Sequence, residues 1–250
     1  TFGQGDCGQL GGGEAVTEAR IPKVLIRLRG KQINQVASGG LHSVALDESG
    51  KVTTWGCNDE GSLGYNAGED NEDGAFPFQI TGFHPSQYGP NGATFKNGVL
   101  DDNGQFIPFI RRKNATISSV AAGETQSLAL STTGDVYQWG TMKDNEGRKF
   151  RNMPPEDDKR TPTGFKDMDA LEEDENPKYY HPPQGNQDWP SHVVEITKKV
   201  NEISAGASYN AALLEDNTIV TWGVGDTGEL ARPVPNLDKK TSMELIKSQY

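Results

Sequence analysis

Apolar and polar positions recur along this chain in one phase at three separated places. Val36 to Trp55, Val120 to Trp139 and Ile203 to Trp222 are each 19 positions apart. Each stretch runs through two small residues, a glycine (Gly39, Gly123, Gly206), a short apolar run, a polar turn, and a second run ending in Trp-Gly. Alternation with a period of two predicts strands at 33–37, 42–46 and 51–55 in the first unit, with Asp47-Glu48-Ser49-Gly50 as a hairpin turn. The same turn is expected at Ser131-Thr132-Thr133-Gly134 and at Glu215-Asp216-Asn217-Thr218. A partial copy opens the chain, where Phe2 to Gly11 mirrors Trp55 to Gly64. A phase held across separated segments marks one supersecondary unit used repeatedly. Three or four antiparallel strands cannot bury both faces alone, so the units must stack, and Trp55, Trp139 and Trp222 are expected in the core between them.

The units fall at 1–32 (partial), 33–64, 117–147 and 200–231, as parts of one domain over 1–250. Insertions at 65–113 and 148–192 carry acidic runs such as Glu172-Glu173-Asp174-Glu175 and the pairs Pro154-Pro155 and Pro182-Pro183. Sparse, unperiodic hydrophobicity makes them surface additions on a regular frame, with Phe76 to Ile80 and Val193 to Ile196 as candidate outer strands. Thirty glycines and a hydrophobic content of 33% suit short strands joined by many turns.

The formal net charge of −11 argues against nucleic-acid binding by this segment alone, because phosphate neutralisation needs clustered Lys and Arg, and it suits a basic protein partner. Cys7 and Cys57 sit at different phases of their repeats, which favours reduced thiols over a disulfide framework. No apolar run approaches the ~18 residues of a membrane helix, so no membrane partner is expected. His42, His84, His181 and His192 lack metal-ligand spacing, and no Ser/His/Asp order has supporting context. No metal, no other cofactor and no small-molecule substrate is therefore expected. Gly3-Gln4-Gly5-Asp6-Cys7-Gly8 and Gly223-Val224-Gly225-Asp226-Thr227-Gly228 satisfy the dinucleotide-loop pattern. That pattern needs a helix to follow, and none does here, so both read as tight turns.

These residues resemble the regulator of chromosome condensation repeat, whose signature is an Ala-Gly or Ser-Gly step, a strand, Trp-Gly, then Gly-x-Leu-Gly. The likeness is carried by Gly3 to Gly11, Gly39-Gly40-Leu41-His42 and Gly56 to Gly64, and is greatest to family members that act as guanine nucleotide exchange factors on Ran. It implies an all-β, seven-bladed β-propeller, of which this chain supplies about three full repeats and a partial one, and hence a fragment of a longer ring. It implies exchange on a Ran-like small GTPase without covalent chemistry. A nuclear, chromatin-associated location follows, with histones or a nucleosome as further partners through regions outside this chain.

From Trp to the loop glycine the spacing is 6 at Trp55–Gly61 and Trp222–Gly228 but 8 at Trp139–Gly147. A loop lengthened on a regular frame usually projects for a purpose. By resemblance, Met142, Lys143, Asp144, Asn145, Glu146 and Gly147 form the wedge pushed against the GTPase near its phosphate-binding loop. Asp6, His42 and Arg232 match positions on the GTPase-binding face, Glu124 stands where the family has Asp, and Ser208-Tyr209 replaces an Asp-His pair. That replacement keeps a different class open: a non-catalytic propeller serving as a scaffold or interaction domain of a larger protein. A light-sensing propeller would need clustered tryptophans, and only Trp189 lies outside the repeat core.

Overall fold

The computed structural model describes residues 1–65, 72–80, 83, 94–95, 98–100, 106–108, 115–143, 149–150, 190–193, 196, 198–225 and 227–231. Strands β1 (Gly3–Gln4) and β2 (Glu18–Ala19) pair as the opening partial unit. β3 (Ile33–Ser38), β4 (His42–Asp47), β5 (Val52–Gly56) and β6 (Phe78–Gln79) form the first four-stranded antiparallel sheet. β7 (Thr94–Phe95), β8 (Gly98–Leu100) and β9 (Phe106–Pro108) make a small sheet of their own within the first insertion. β10 (Ile117–Ala122), β11 (Gln126–Ser131) and β12 (Val136–Gly140) belong to the second large sheet, β13 (Met142–Lys143) and β14 (Lys149–Phe150) pair as a hairpin, and β15 (Ser191–His192) completes the second sheet beside β12. β16 (Val200–Ala205), β17 (Tyr209–Leu214) and β18 (Ile219–Gly223) form the third.

The all-β expectation therefore holds, with three corrections in detail. The second outer strand is Ser191–His192, paired with Gln138 and Tyr137, two residues before the expected start at Val193. Val193 instead turns its side chain into the core. The first insertion is not merely a surface addition: besides β7–β9 it supplies β6, inside the candidate stretch 76–80, and buries Ile80 and Phe83 against Trp139 and Tyr137. In the third unit the turn runs one residue earlier than expected, with Asn217 N–H donating to Leu214 O. Asn217, at φ 64, takes the left-handed position that Gly50 and Gly134 hold in the other turns, a conformation asparagine tolerates better than most residues.

Burial reports which faces are covered. Every residue of β11 and β12 is buried because the second sheet has a neighbour on both faces, whereas β17 alternates between buried and half-buried. Along β11, Leu128 and Leu130 point to the third sheet, joining Val200, Leu214 and Trp222, while Ala129 points to the first, joining Val44, Val120 and Trp139. Each leucine buried this way contributes about 1.5–3 kcal/mol. A bulge recurs at one phase of all three inner strands, at Ile33/Gln35, Ile117/Ser119 and Val200/Glu202, and adds the twist that stacked sheets need.

Main-chain bonds tie neighbouring units at both ends. At one rim Gly40 N–H donates to Glu124 O (3.1 Å) and Glu124 N–H to Ala207 O (3.0 Å). At the other, Ile117 N–H donates to Gly50 O and Val200 N–H to Gly134 O. The repeated glycine of the first rim is required by this approach: a Cβ on Gly39 would lie 2.3 Å from Gly123 O and 2.2 Å from the His42 ring. Gly39→Ala is expected to cost about 1–3 kcal/mol by overpacking. Chemical denaturation would read this as a lowered midpoint, and an unchanged midpoint would contradict it.

Candidate functional site

The rim that carries Gly40, Glu124 and Ala207 also carries the loops that leave β1, β5, β12 and β18, because antiparallel pairing sets Gly56 opposite His42, Gly140 opposite Gln126 and Gly223 opposite Tyr209. Asp6, Glu124, Ser208 and Lys143 therefore share one rim. Asp6 and Glu124 are exposed, and Ser208 is half-buried, its carbonyl accepting from Val224 N–H at 2.9 Å. Arg232 and Asp144, Asn145, Glu146 and Gly147, expected in the wedge, lie outside the described residues.

Two expected contact residues point inward. His42 is 2% exposed, with Nε2 2.8 Å from Ser127 Oγ on the next sheet. Ser127 Oγ donates to Ser62 O, so it accepts the imidazole N–H, and burial lowers the His42 pKa to about 4. A neutral ring fastening two sheets offers a partner no side-chain surface. Met142 is fully buried in the cluster around Trp222 and anchors the β13–β14 hairpin without facing outward.

The lengthened loop is thus a hairpin rooted in the core, with Met142 opposite Phe150 and Lys143 opposite Lys149. Lys143 pairs with Glu60, a largely buried carboxylate in the preceding unit's loop. A half-exposed ion pair of this kind contributes at most about 1 kcal/mol, so it orients more than it stabilises. Thr125 Oγ1 donates to Thr141 O (2.6 Å) and Ser62 Oγ donates to Thr125 O (2.7 Å), latching the hairpin's base to two neighbouring loops. The unexpanded loop after Trp55 closes on itself: Asn58 Oδ1 accepts from Leu63 N–H and Asn58 Nδ2 donates to Tyr65 O. Met142 stands at the phase of Asn58 and makes neither bond, a difference visible once the repeats are aligned. Glu60 and Gln138 were not singled out by sequence. Glu60 pairs with a residue far along the chain, and Gln138 is marked only by standing where Thr54 and Thr221 stand in the other units.

Both cysteines are free, and burial pushes the Cys57 thiol up to about 11, so it stays protonated at neutral pH.

Two models of the regulator of chromosome condensation (RCC1) repeat match the chain, at residues 1–46 and 33–62. The chain is 27% identical to the mouse regulator of chromosome condensation over 95% of its own length and 41% of that protein. It is 26% identical to the human E3 ubiquitin-protein ligase HERC2 over 96% of its length, but only 5% of that protein. Among solved structures, Saccharomyces cerevisiae Prp20p, studied for its binding to Gsp1p and histones, superposes with a TM-score of 0.61 at 24% identity, covering 93% of this chain and 42% of that one. That likeness is one of fold. The chain spans about two fifths of the length of the regulators of chromosome condensation it matches. Residues 1–62 match RCC1 repeat models, and the chain is similar along 95% of its length to the mouse regulator of chromosome condensation.

Proposed function

We propose that this chain is part of a closed, seven-bladed propeller that promotes release of GDP from a Ran-like small GTPase. The observation that carries the reading is the hairpin β13–β14: one loop of a regular rim, lengthened by two residues, rooted by Met142 and oriented by Lys143 against Glu60. Bound nucleotide in such GTPases is held by Mg²⁺ and the phosphate-loop lysine. A hairpin pushed into that region competes with those contacts, so factor and nucleotide weaken each other reciprocally and no covalent bond changes. Asp6 and Glu124 put acidic side chains on the same rim, where they would meet a basic GTPase surface and speed encounter, with Ser208 and Arg232 as further contacts. The nuclear, chromatin-associated setting and a histone partner belong to this reading too.

Replacing Lys143, Asp144 and Asn145 together with alanine in the intact protein is expected to slow release of fluorescent mant-GDP from Ran on the order of 10- to 100-fold, as misplacing a positioned group does. The loss should fall mainly on the maximal rate. Asp59→Ala, exposed in the unexpanded loop, is the control. Equal losses from both, or none from the hairpin variant, would favour a propeller acting as a non-catalytic interaction domain. The exchange of an Asp-His pair for Ser208-Tyr209, with Tyr209 packed over Gly206, favours that second reading.

A further inference from the structure

The three repeat tryptophans are fastened in two different ways. Trp55 Nε1 donates to Gln9 O (3.0 Å) and Trp139 Nε1 to Ser62 O (2.8 Å), carbonyls at matching positions of the preceding unit's loop. Within a unit, Thr54 Oγ1 donates to Leu63 O and Thr221 Oγ1 to Leu230 O, again at matching positions, drawing the loop leucine inward. The unit at 117–147 departs from both rules together. Its leucine position is Lys149, now in β14, and its threonine position is Gln138. Trp222 Nε1 donates not to a loop carbonyl but to Gln138 Oε1, at 2.8 Å. Asn210 lies in the same buried network, its amide 3.2 Å from Gln138 Oε1 and 3.3 Å from Gln126 Nε2. Turning that amide end for end would bring its oxygen 3.2 Å from Trp222 Nε1 as a second acceptor.

We infer that Gln138 is a positioning residue that releases the hairpin from the core. By accepting the indole proton itself, it does the work that a loop carbonyl does for Trp55 and Trp139. Strands β13 and β14 are thereby freed to pair as a hairpin without unfastening the third sheet. A threonine there could reach its own loop but not the next unit's indole, so the longer loop and the glutamine belong together as one change. The inference takes its functional meaning from the reading of the hairpin as the contacting element, but its physical content is a coupling between Gln138 and loop length.

A double-mutant cycle in the intact protein tests it. One change is Gln138→Thr; the other replaces residues 141–150 with the sequence of 57–64, restoring the short loop and its leucine. In the native-length background Gln138→Thr should lower the folding equilibrium constant about tenfold, a size typical of coupled neighbours. In the grafted background it should cost nothing or help. Equal cost in both backgrounds overturns the inference. If the graft does not fold, hydrogen exchange of the Trp222 indole N–H decides: protection should be lost in Gln138→Thr and kept in Gln138→Glu, which retains the acceptor oxygen. Unchanged protection in Gln138→Thr overturns it. GDP release measured on the graft is a separate arm: retained release would sink the exchange reading while leaving the coupling intact.

Discussion

Trp139→Ala is expected to destabilise the intact protein by about 3–5 kcal/mol, the range for deleting a fully buried aromatic side chain. The indole has no exposed surface, packs edge-on against Phe83 at 5.8 Å between ring centres, and donates to Ser62 O across the sheet boundary. A Cβ on Gly64 would lie 3.0 Å from its ring, so the final glycine of Gly-x-Leu-Gly exists to let the indole in. Truncation thus opens a cavity and removes the shorter of the two hydrogen bonds that Ser62 O accepts at the junction of two sheets. Trp139→Phe should recover most of the packing but not the hydrogen bond, for a residual loss of about 0.5–1.5 kcal/mol, since Ser127 Oγ still donates to Ser62 O. Urea denaturation measures both, and a loss below about 1 kcal/mol for the alanine variant would mean that the sheets are joined chiefly elsewhere.

Acid should loosen the same junction. The imidazole of an unfolded chain titrates near 6.5, whereas burial holds His42 down to about 4. Between those values the unfolded chain binds the proton and the folded chain does not, so stability rises with pH across the interval. His42 thus contributes stability that is fully present above pH 6.5 and lost as pH falls toward 4, amounting to roughly 3 kcal/mol. Burial lowers the His192 pKa as well, against the opposing pull of Asp135, so a smaller slope of the same sign should remain without His42. His42→Gln supplies what the next unit already uses, since Gln126 occupies the same phase and reaches across to Asn210 as His42 reaches to Ser127. Denaturation midpoints at pH 7 and pH 5 should therefore lie closer together in His42→Gln than in the parent. An unchanged pH slope would show that the imidazole is already free to charge in the folded state.

The repeat phase made much of this architecture legible. The strand–turn–strand core, the inward tryptophans and the odd loop after Trp139 all follow from comparing three copies of one pattern. Features that depend on partners distant in sequence did not show. A histidine opening a strand reads as a rim residue until Ser127 is known to lie beyond it. The bulges at Gln35 and Ser119 have no residue code of their own, because they answer the twist of the sheet and not a local preference. Strands β7–β9 escaped notice because two- and three-residue strands are too short to display alternation. The register of the third turn was misjudged because asparagine, unlike glycine, does not announce a left-handed residue. Within the candidate site, the lengthening of the loop was visible in the spacing, but its anchorage through Met142, Glu60 and Gln138 was not.

The rim hydrogen bonds from Gly40 to Glu124 and from Glu124 to Ala207 are made by peptide groups, with the Glu124 side chain left in solvent. Assembly and surface chemistry are therefore written in separate alphabets at one position: the backbone holds the units in line, and the side chain is free to vary. A lineage could exchange aspartate for glutamate here, or acid for base, and retune which surfaces this edge attracts without disturbing how the sheets stack. Such a scaffold can acquire a new partner by single substitutions along one edge, each nearly neutral for folding.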